Sequence, residues 1–109
     1  LIKLPVLCNG RAVEAIIDTG STVNIIHSDL FGKFNNLPLE PTTIQVNTAD
    51  GNQSHLHGLV RKVPVACGSI NTIANLYVSD VSPFDLLLGR PWQRGNKIAI
   101  DERDDGTYL

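Results

Sequence analysis

The chain has no methionine, one tryptophan and two cysteines among its 109 residues. Aromatic residues make up only 6% of it, so any core must be assembled from Ile, Leu and Val. No apolar run approaches the ~18 residues that a membrane-crossing helix needs. No basic segment followed by a long apolar one marks a secretory leader. Charge is equally sparse. The 9 Lys and Arg against 11 Asp and Glu leave a net charge of −2, which offers nucleic acid no electrostatic footprint. The longest acidic cluster, Asp101-Glu102-Arg103-Asp104-Asp105, is broken by an arginine. The expectation is therefore no nucleic acid, no membrane and an intracellular, cytoplasmic place. A chain without methionine also fits a segment cut from a longer polypeptide.

Cofactor signatures are missing too. There is no Gly-rich phosphate loop, zinc motif or G-x-S-x-G elbow, so no cofactor and no metal are expected. Cys8 and Cys67 form no C-x-x-C pair and read as small buried apolar residues; without a secretory signal a disulfide is not expected. His55 and His57 sit two apart on a strand and share a face, but no third metal ligand lies nearby, so they read as solvated residues. His27 reads as a surface or helix-edge residue. Asn52-Gln53-Ser54 matches a glycosylation sequon by chance.

What the chain does have is 42% apolar residues and turn signals about every ten residues. The length suits a single domain, residues 1–109. Ile2 to Cys8 and Arg11 to Ile17 read as strands joined by the hairpin turn Asn9-Gly10. Ser28 to Phe34 has room for one or two helical turns, with Ser28 as cap. Thr42 to Thr48 alternates apolar and polar residues, Ala49-Asp50-Gly51-Asn52 is a hairpin signal, and His55 to Ala66 continues as a strand. Ile70 to Val78 is another strand, Leu86-Leu87-Leu88 another. Arg90 to Arg94 reads as a short helix, with Pro91 at its start and Gly95-Asn96 at its end. Lys97 to Ile100 and Thr107 to Leu109 read as a closing hairpin through Asp104-Asp105-Gly106. Many short strands so punctuated argue an all-β barrel or sandwich.

The informative motif is Asp18-Thr19-Gly20-Ser21, directly behind the apolar run Val13 to Ile17. It puts one carboxylate at the end of a buried strand, in a turn that only small residues can make. Water attacks a peptide carbonyl when one group removes a proton and another stabilises the oxyanion. Two close carboxylates do both, because they cannot both ionise. Asp18 needs such a partner. Asp85 is the internal candidate, but Pro83-Phe84-Asp85 reads as a strand entrance, and no second D-T-G or D-S-G triplet exists. A two-fold dimer solves this by setting Asp18 against its own copy. Thr19 would then bond across the axis, Gly20 would let backbones approach, and Ser21 would meet the outer carboxylate oxygen.

With these residues in view, the chain resembles a retropepsin-like aspartic protease, and more narrowly the proteases of Ty3/gypsy-type LTR retrotransposons. The similar elements are Val63-Pro64-Val65-Ala66-Cys67-Gly68, Ala74-Asn75-Leu76-Tyr77-Val78 and Leu86-Leu87-Leu88-Gly89-Arg90-Pro91-Trp92. Gln93-Arg94-Gly95-Asn96 and the end Gly106-Thr107-Tyr108-Leu109 look fungal in style. The resemblance implies a closed β-barrel with a short C-terminal helix, one lobe per chain, in a homodimer. It implies Asp18, Thr19 and Gly20 as the catalytic triplet. Residues about 44–60 would be a flap over the substrate, tipped by Ala49, Asp50, Gly51 and Asn52. Leu87, Leu88 and Gly89 would pack beneath the catalytic turn, with Leu87 toward the substrate and Arg90 supporting the dimer. The implied partner is an extended peptide or polyprotein. Several features depart from the retroviral pattern: the flap tip is polar, Thr22-Val23-Asn24 stands where an acidic partner for Arg90 is expected, little chain precedes the first strand, and an extra hairpin within Lys97 to Leu109 is a candidate for the dimer sheet. These departures keep open a second reading, a catalytically silent dimerisation or peptide-binding module on the same fold.

Overall fold

The computed structural model describes residues 2–42, 45–47, 53–96, 101–103 and 106–108. β1 (Ile2–Cys8) and β2 (Arg11–Ile17) pair antiparallel, from Ile2 opposite Ile17 to Cys8 opposite Arg11. Their turn holds Asn9 and Gly10 at φ 49° and 86°, the pair of positive angles whose twist matches the flanking strands. After β3 (Ile25–His27) come α1 (Ser28–Phe31), β4 (Glu40–Pro41), β5 (Gln45–Asn47) and β6 (Gln53–His55). Then follow β7 (Gly58–Cys67), β8 (Ile70–Ser79), β9 (Leu86–Leu88), α2 (Arg90–Gly95), β10 (Asp101–Arg103) and β11 (Gly106–Tyr108).

The main sheet runs β1-β2-β9-β3-β8-β7-β4. A further pairing of β1 with β7, Leu7 opposite Ala66 and Cys8 opposite Val65, joins its sides. Six strands thus close into a barrel, with β4 attached to β7 outside the ring. Closure removes the free edges that make open sheets sticky. β9 lies parallel to β2 and antiparallel to β3. It is therefore threaded between two strands that follow each other in sequence.

Alternation along the strands fills the barrel. Val6, Cys8, Ala15, Ile17, Ile26, Leu76, Val78, Leu86 and Leu88 are all buried. One break in the alternation is informative. Val60 and Val63 are three apart yet both are fully buried. A bulge reconciles them: Val60 faces Leu76 and Val63 faces Ala74, so β7 spends one residue more than β8. Lys62 takes the bulge at φ 55°, and its N–H donates to Asn75 Oδ1 at 2.9 Å.

α2 is fastened to the barrel by its one aromatic. Trp92 is 1% exposed. Its Nε1–H donates to Thr72 Oγ1 at 2.8 Å, and that hydroxyl donates to Val65 O at 2.6 Å. Asn96 ends the helix. Its amide donates to the carbonyls of Trp92 and Ile73, and its Oδ1 accepts from Ile73 N–H.

Several boundaries differ from the sequence reading. The α1 cap is His27, not Ser28: His27 keeps extended backbone at the end of β3, and its Nδ1 accepts from Asp29 N–H at 3.0 Å. Ser28 is already helical, and the helix ends at Phe31. The strand expected over His55 to Ala66 breaks at Leu56-His57, where His57 N–H turns to Val78 O at 2.9 Å. The described closing hairpin pairs Asp101–Arg103 with Gly106–Tyr108, leaving a two-residue connection between Arg103 and Gly106. That is the tight hairpin length; residues 97–100 lie outside the described residues. β5 and β6 pair from Gln45 opposite His55 to Asn47 opposite Gln53. The expected tip, Ala49 to Asn52, lies outside the described residues. Among the described residues no helix is long and apolar enough to cross a membrane.

Cys8 and Cys67 are free and buried, as expected. Burial pushes the Cys8 thiol up to about 11 and raises Cys67 in the same direction. The unfolded thiol ionises near 9.0. Between these values only the unfolded chain gains by losing the proton, so stability is intact below pH 9 and falls as pH rises toward 11. The Cys8 share of the loss is about 3 kcal/mol. Urea unfolding of the wild type and Cys8→Ala from pH 8 to pH 11 should show the shallower fall in the variant. Parallel curves would refute the assignment.

Candidate active site

The site begins where β2 leaves the core. Ala15, Ile16 and Ile17 are buried, and Asp18, the next residue, is half-buried at the barrel's end. Ser21 N–H donates to Asp18 O at 3.1 Å, closing a four-residue turn. Gly20 N–H donates to Asp18 Oδ1 at 2.9 Å, so the turn grips the carboxylate as well as the backbone. A Cβ on Gly20 would lie 3.3 Å from that same oxygen. The glycine therefore keeps space at the carboxylate, in addition to the backbone approach expected of it.

From this turn the chain must reach β3, which lies on the far side of β9. It crosses over the end of β9, and the crossing is tight. A Cβ on Gly89 would stand 2.4 Å from Val23 O and 2.8 Å from Ser21 O, so only hydrogen fits there. Four hydrogen bonds stitch the crossing. Asp18 N–H donates to Leu88 O at 3.0 Å and Arg90 N–H to Ser21 O at 2.9 Å. Gly89 N–H donates to Asn24 Oδ1 at 2.8 Å, and Asn24 Nδ2 donates to Asn75 O at 3.1 Å. Asn24 O also accepts from Tyr77 N–H at 2.9 Å.

The residues singled out in the sequence fare differently. Asp18, Thr19, Gly20, Leu88 and Gly89 meet at this turn. Thr19 is exposed at its tip. Ser21 does not turn to the carboxylate: its hydroxyl donates to Val23 O at 2.8 Å and accepts from Val23 N–H at 3.3 Å. It shapes the turn instead. Leu87 is half-buried between Ile16 and Ile25 in the sheet. Arg90 is exposed, with no ion pair among the described residues. Ala49, Asp50, Gly51 and Asn52 lie outside the described residues.

Asp85 is excluded as an internal partner for Asp18. Ile17 stands opposite Leu88 in the parallel pair β2–β9, so Asp18 is level with Gly89. Asp85 comes four residues earlier, roughly 13 Å along the strand. Asp85 therefore does not stand beside Asp18 as a second carboxylate. Among the described residues no three His, Cys, Asp or Glu side chains gather as a metal site. His57 is exposed and pairs with Asp80 at 3.2 Å.

Asn24 was missed. It is 3% exposed and polar, inside the apolar run Val23-Asn24-Ile25-Ile26. A polar residue interrupting such a run must find partners when buried, and that interruption was the available signal.

A family model described as aspartyl protease matches residues 4–92, from β1 through the buried tryptophan of α2. The chain belongs to the aspartyl protease family. Two solved structures share the architecture of this aspartyl protease. The crystal structure of the retroviral protease-like domain of Ddi1 from Leishmania major matches with a TM-score of 0.77 at 16% identity. That match covers 100% of this chain and 86% of the other. The EIAV protease complexed with the inhibitor HBY-793 matches with a TM-score of 0.70 at 16% identity, over 89% of this chain and 90% of the other. No curated protein matches the sequence. At these identities the likeness fixes the fold, which is retropepsin-like, as the sequence reading expected.

In this aspartyl protease the crossing predicts a contrast. Gly89→Ala meets two fixed backbone oxygens and should cost about 1–3 kcal/mol in urea unfolding. Gly20→Ala crowds only the end of a side chain and should cost less than half as much. Equal stability losses would show that the crossing is not the tight point.

Proposed function

We propose that this domain is an active aspartic endopeptidase that works as a homodimer, with one Asp18 from each copy. The observation that carries the reading is the placement of Asp18. It ends a buried strand, in a turn gripped by Gly20 and seated on Gly89; the sequence has one such triplet, and Asp85 is out of reach. A two-fold axis beside the turn brings the second carboxylate without a second motif.

The reaction follows from the pair. One carboxylate is charged and takes a proton from water as the oxygen bonds to the carbonyl carbon. The other is protonated and donates to the carbonyl oxygen, giving a tetrahedral diol. As the C–N bond breaks, the carboxyl that took water's proton gives it to the leaving nitrogen while the other carboxylate takes a proton from a diol hydroxyl, so the acid product forms and the dyad again holds one proton. The proton belongs to the pair and not to either copy. No cofactor or metal enters.

The remaining parts are assigned to match. Residues 1–109 act as one protease domain. The β5–β6 pair is the base of a flap spanning about 44–60, with Ala49, Asp50, Gly51 and Asn52 at its tip, closing over an extended peptide and excluding water. Leu87 contributes to the apolar floor, so apolar side chains are favoured beside the cut. Thr19, exposed at the turn's tip, reaches its counterpart across the axis, and Arg90 supports the interface. The β10–β11 hairpin is hydrogen-bonded to no other strand among the described residues. Two-stranded ribbons are marginal alone, so it is the segment to pair with the second copy. The biological role proposed is processing of a retrotransposon polyprotein, inside the cell or a virus-like particle.

Cleavage of a mixed peptide library near pH 5, with and without pepstatin, tests the reading. Turnover should be pepstatin-sensitive and rise faster than linearly with protein concentration. Asp18→Asn should fold and dimerise normally and lose activity by about 10³-fold or more. Peptide binding without turnover by a wild-type sample shown to be dimeric would instead identify a silent binding module.

A further inference from the structure

We infer that Asn24 is a positioning residue for Asp18, acting through the single peptide group between Leu88 and Gly89. The inference rests on Asp18 being the working carboxylate. That peptide group is held at both ends by the site. Its carbonyl, Leu88 O, accepts from Asp18 N–H at 3.0 Å. Its N–H, on Gly89, donates to Asn24 Oδ1 at 2.8 Å. A peptide group is a rigid plane, so a tilt at one end moves the other. Asn24 sets that tilt, and the Asp18 backbone follows.

Asn24 is itself immobile. Its Nδ2 donates to Asn75 O, and its carbonyl accepts from Tyr77 N–H. Both belong to β8, the strand that pairs with β3 and β7. The barrel's rigidity therefore reaches the carboxylate through one buried amide that both donates and accepts. No other residue type of that size offers both polar ends, and an aliphatic one would leave Gly89 N–H and Asn75 O unpaired. Gly20 grips the carboxylate from the turn itself; Asn24 holds the platform on which the turn stands.

Three variants test this. Asn24→Ala removes both bonds, Asn24→Asp keeps the acceptor for Gly89 N–H, and Val63→Ala lowers stability from a core site on β7 that makes no hydrogen bond to the turn. Turnover is expressed per pepstatin-titrated dimer. Asn24→Ala should lower kcat about 10–100-fold with KM within about twofold, Asn24→Asp should recover part of the loss, and Val63→Ala should leave kcat within about threefold. Amide exchange gives a second readout that needs no turnover: in Asn24→Ala the Asp18 and Gly89 amides should open together, about tenfold faster than in Val63→Ala. If Asn24→Ala does not fold, Asn24→Leu, of similar size and without polar atoms, carries the same comparison. A wild type without turnover overturns the protease reading, and the exchange data still decide the coupling. Asp18 exchange that matches the Val63→Ala control, or an unchanged kcat per dimer, overturns the role given to Asn24.

Discussion

The turn over residues 18–24 has to pass across the end of β9 with no room for a side chain between them, and the site is organised by that passage. β9 sits between β2 and β3, so the chain cannot go from one to the other within the sheet. It must leave the sheet, cross and return. Leaving the sheet exposes the Asp18 carboxylate at the barrel's end. Crossing closely lets the backbone of β9 take the hydrogen bonds that the turn would otherwise lack. Gly89 is the residue at which these two requirements meet, because its missing side chain is what permits both the approach and the bonding.

Close crossing alone would fix the height of the turn but leave its orientation loose. Polar groups supply the orientation. Asn24 links the turn to β8, and Trp92 links α2 to β7 and β8 through the Thr72 hydroxyl. Both arrangements give buried polar atoms partners, and both attach an element that follows β9 or precedes β3 to β8. A purely apolar solution at residue 24 would pack but would leave the buried Gly89 N–H without a partner, at about 1–3 kcal/mol. Satisfied polar pairs are thus the means by which this barrel fixes one geometry at its end.

Much of this was legible in the residues. The all-β class, the Asn9-Gly10 hairpin, the long strands and the short helix starting near Pro91 follow from alternation and turn chemistry, which are local. The turn at Asp18 and Gly20 was legible because a carboxylate and small residues directly behind an apolar strand close a tight turn. What was not legible depends on contacts distant in sequence. The closure of β1 on β7, the place of β9 between β2 and β3, and the partners of Asn24 are set by tertiary pairing. The Ser21 hydroxyl went to Val23 because a turn residue satisfies its nearest backbone first. His27 capped α1 because strand β3 ends there with an extended backbone, and nothing in the residue pattern separates it from Ser28.

The division of labour between one chain and two follows from the same geometry. The described barrel closes on itself, and its core is supplied entirely by one chain. Every hydrogen bond that grips the Asp18 turn from below also comes from that chain. In the proposed dimer, Thr19 at the exposed tip of the turn, Arg90 and the β10–β11 hairpin are the parts assigned to the second copy. In that dimer, then, the hydrogen bonds that hold each carboxylate lie within its own chain, and assembly contributes the second acid. Weak association would lower activity without loosening either site. Damage at Asn24 or Gly89 would spoil the carboxylate's position even in a dimer that forms normally. The two failures separate because the bonds that hold the turn come from β8 and β9, whereas the proposed second acid comes from another copy.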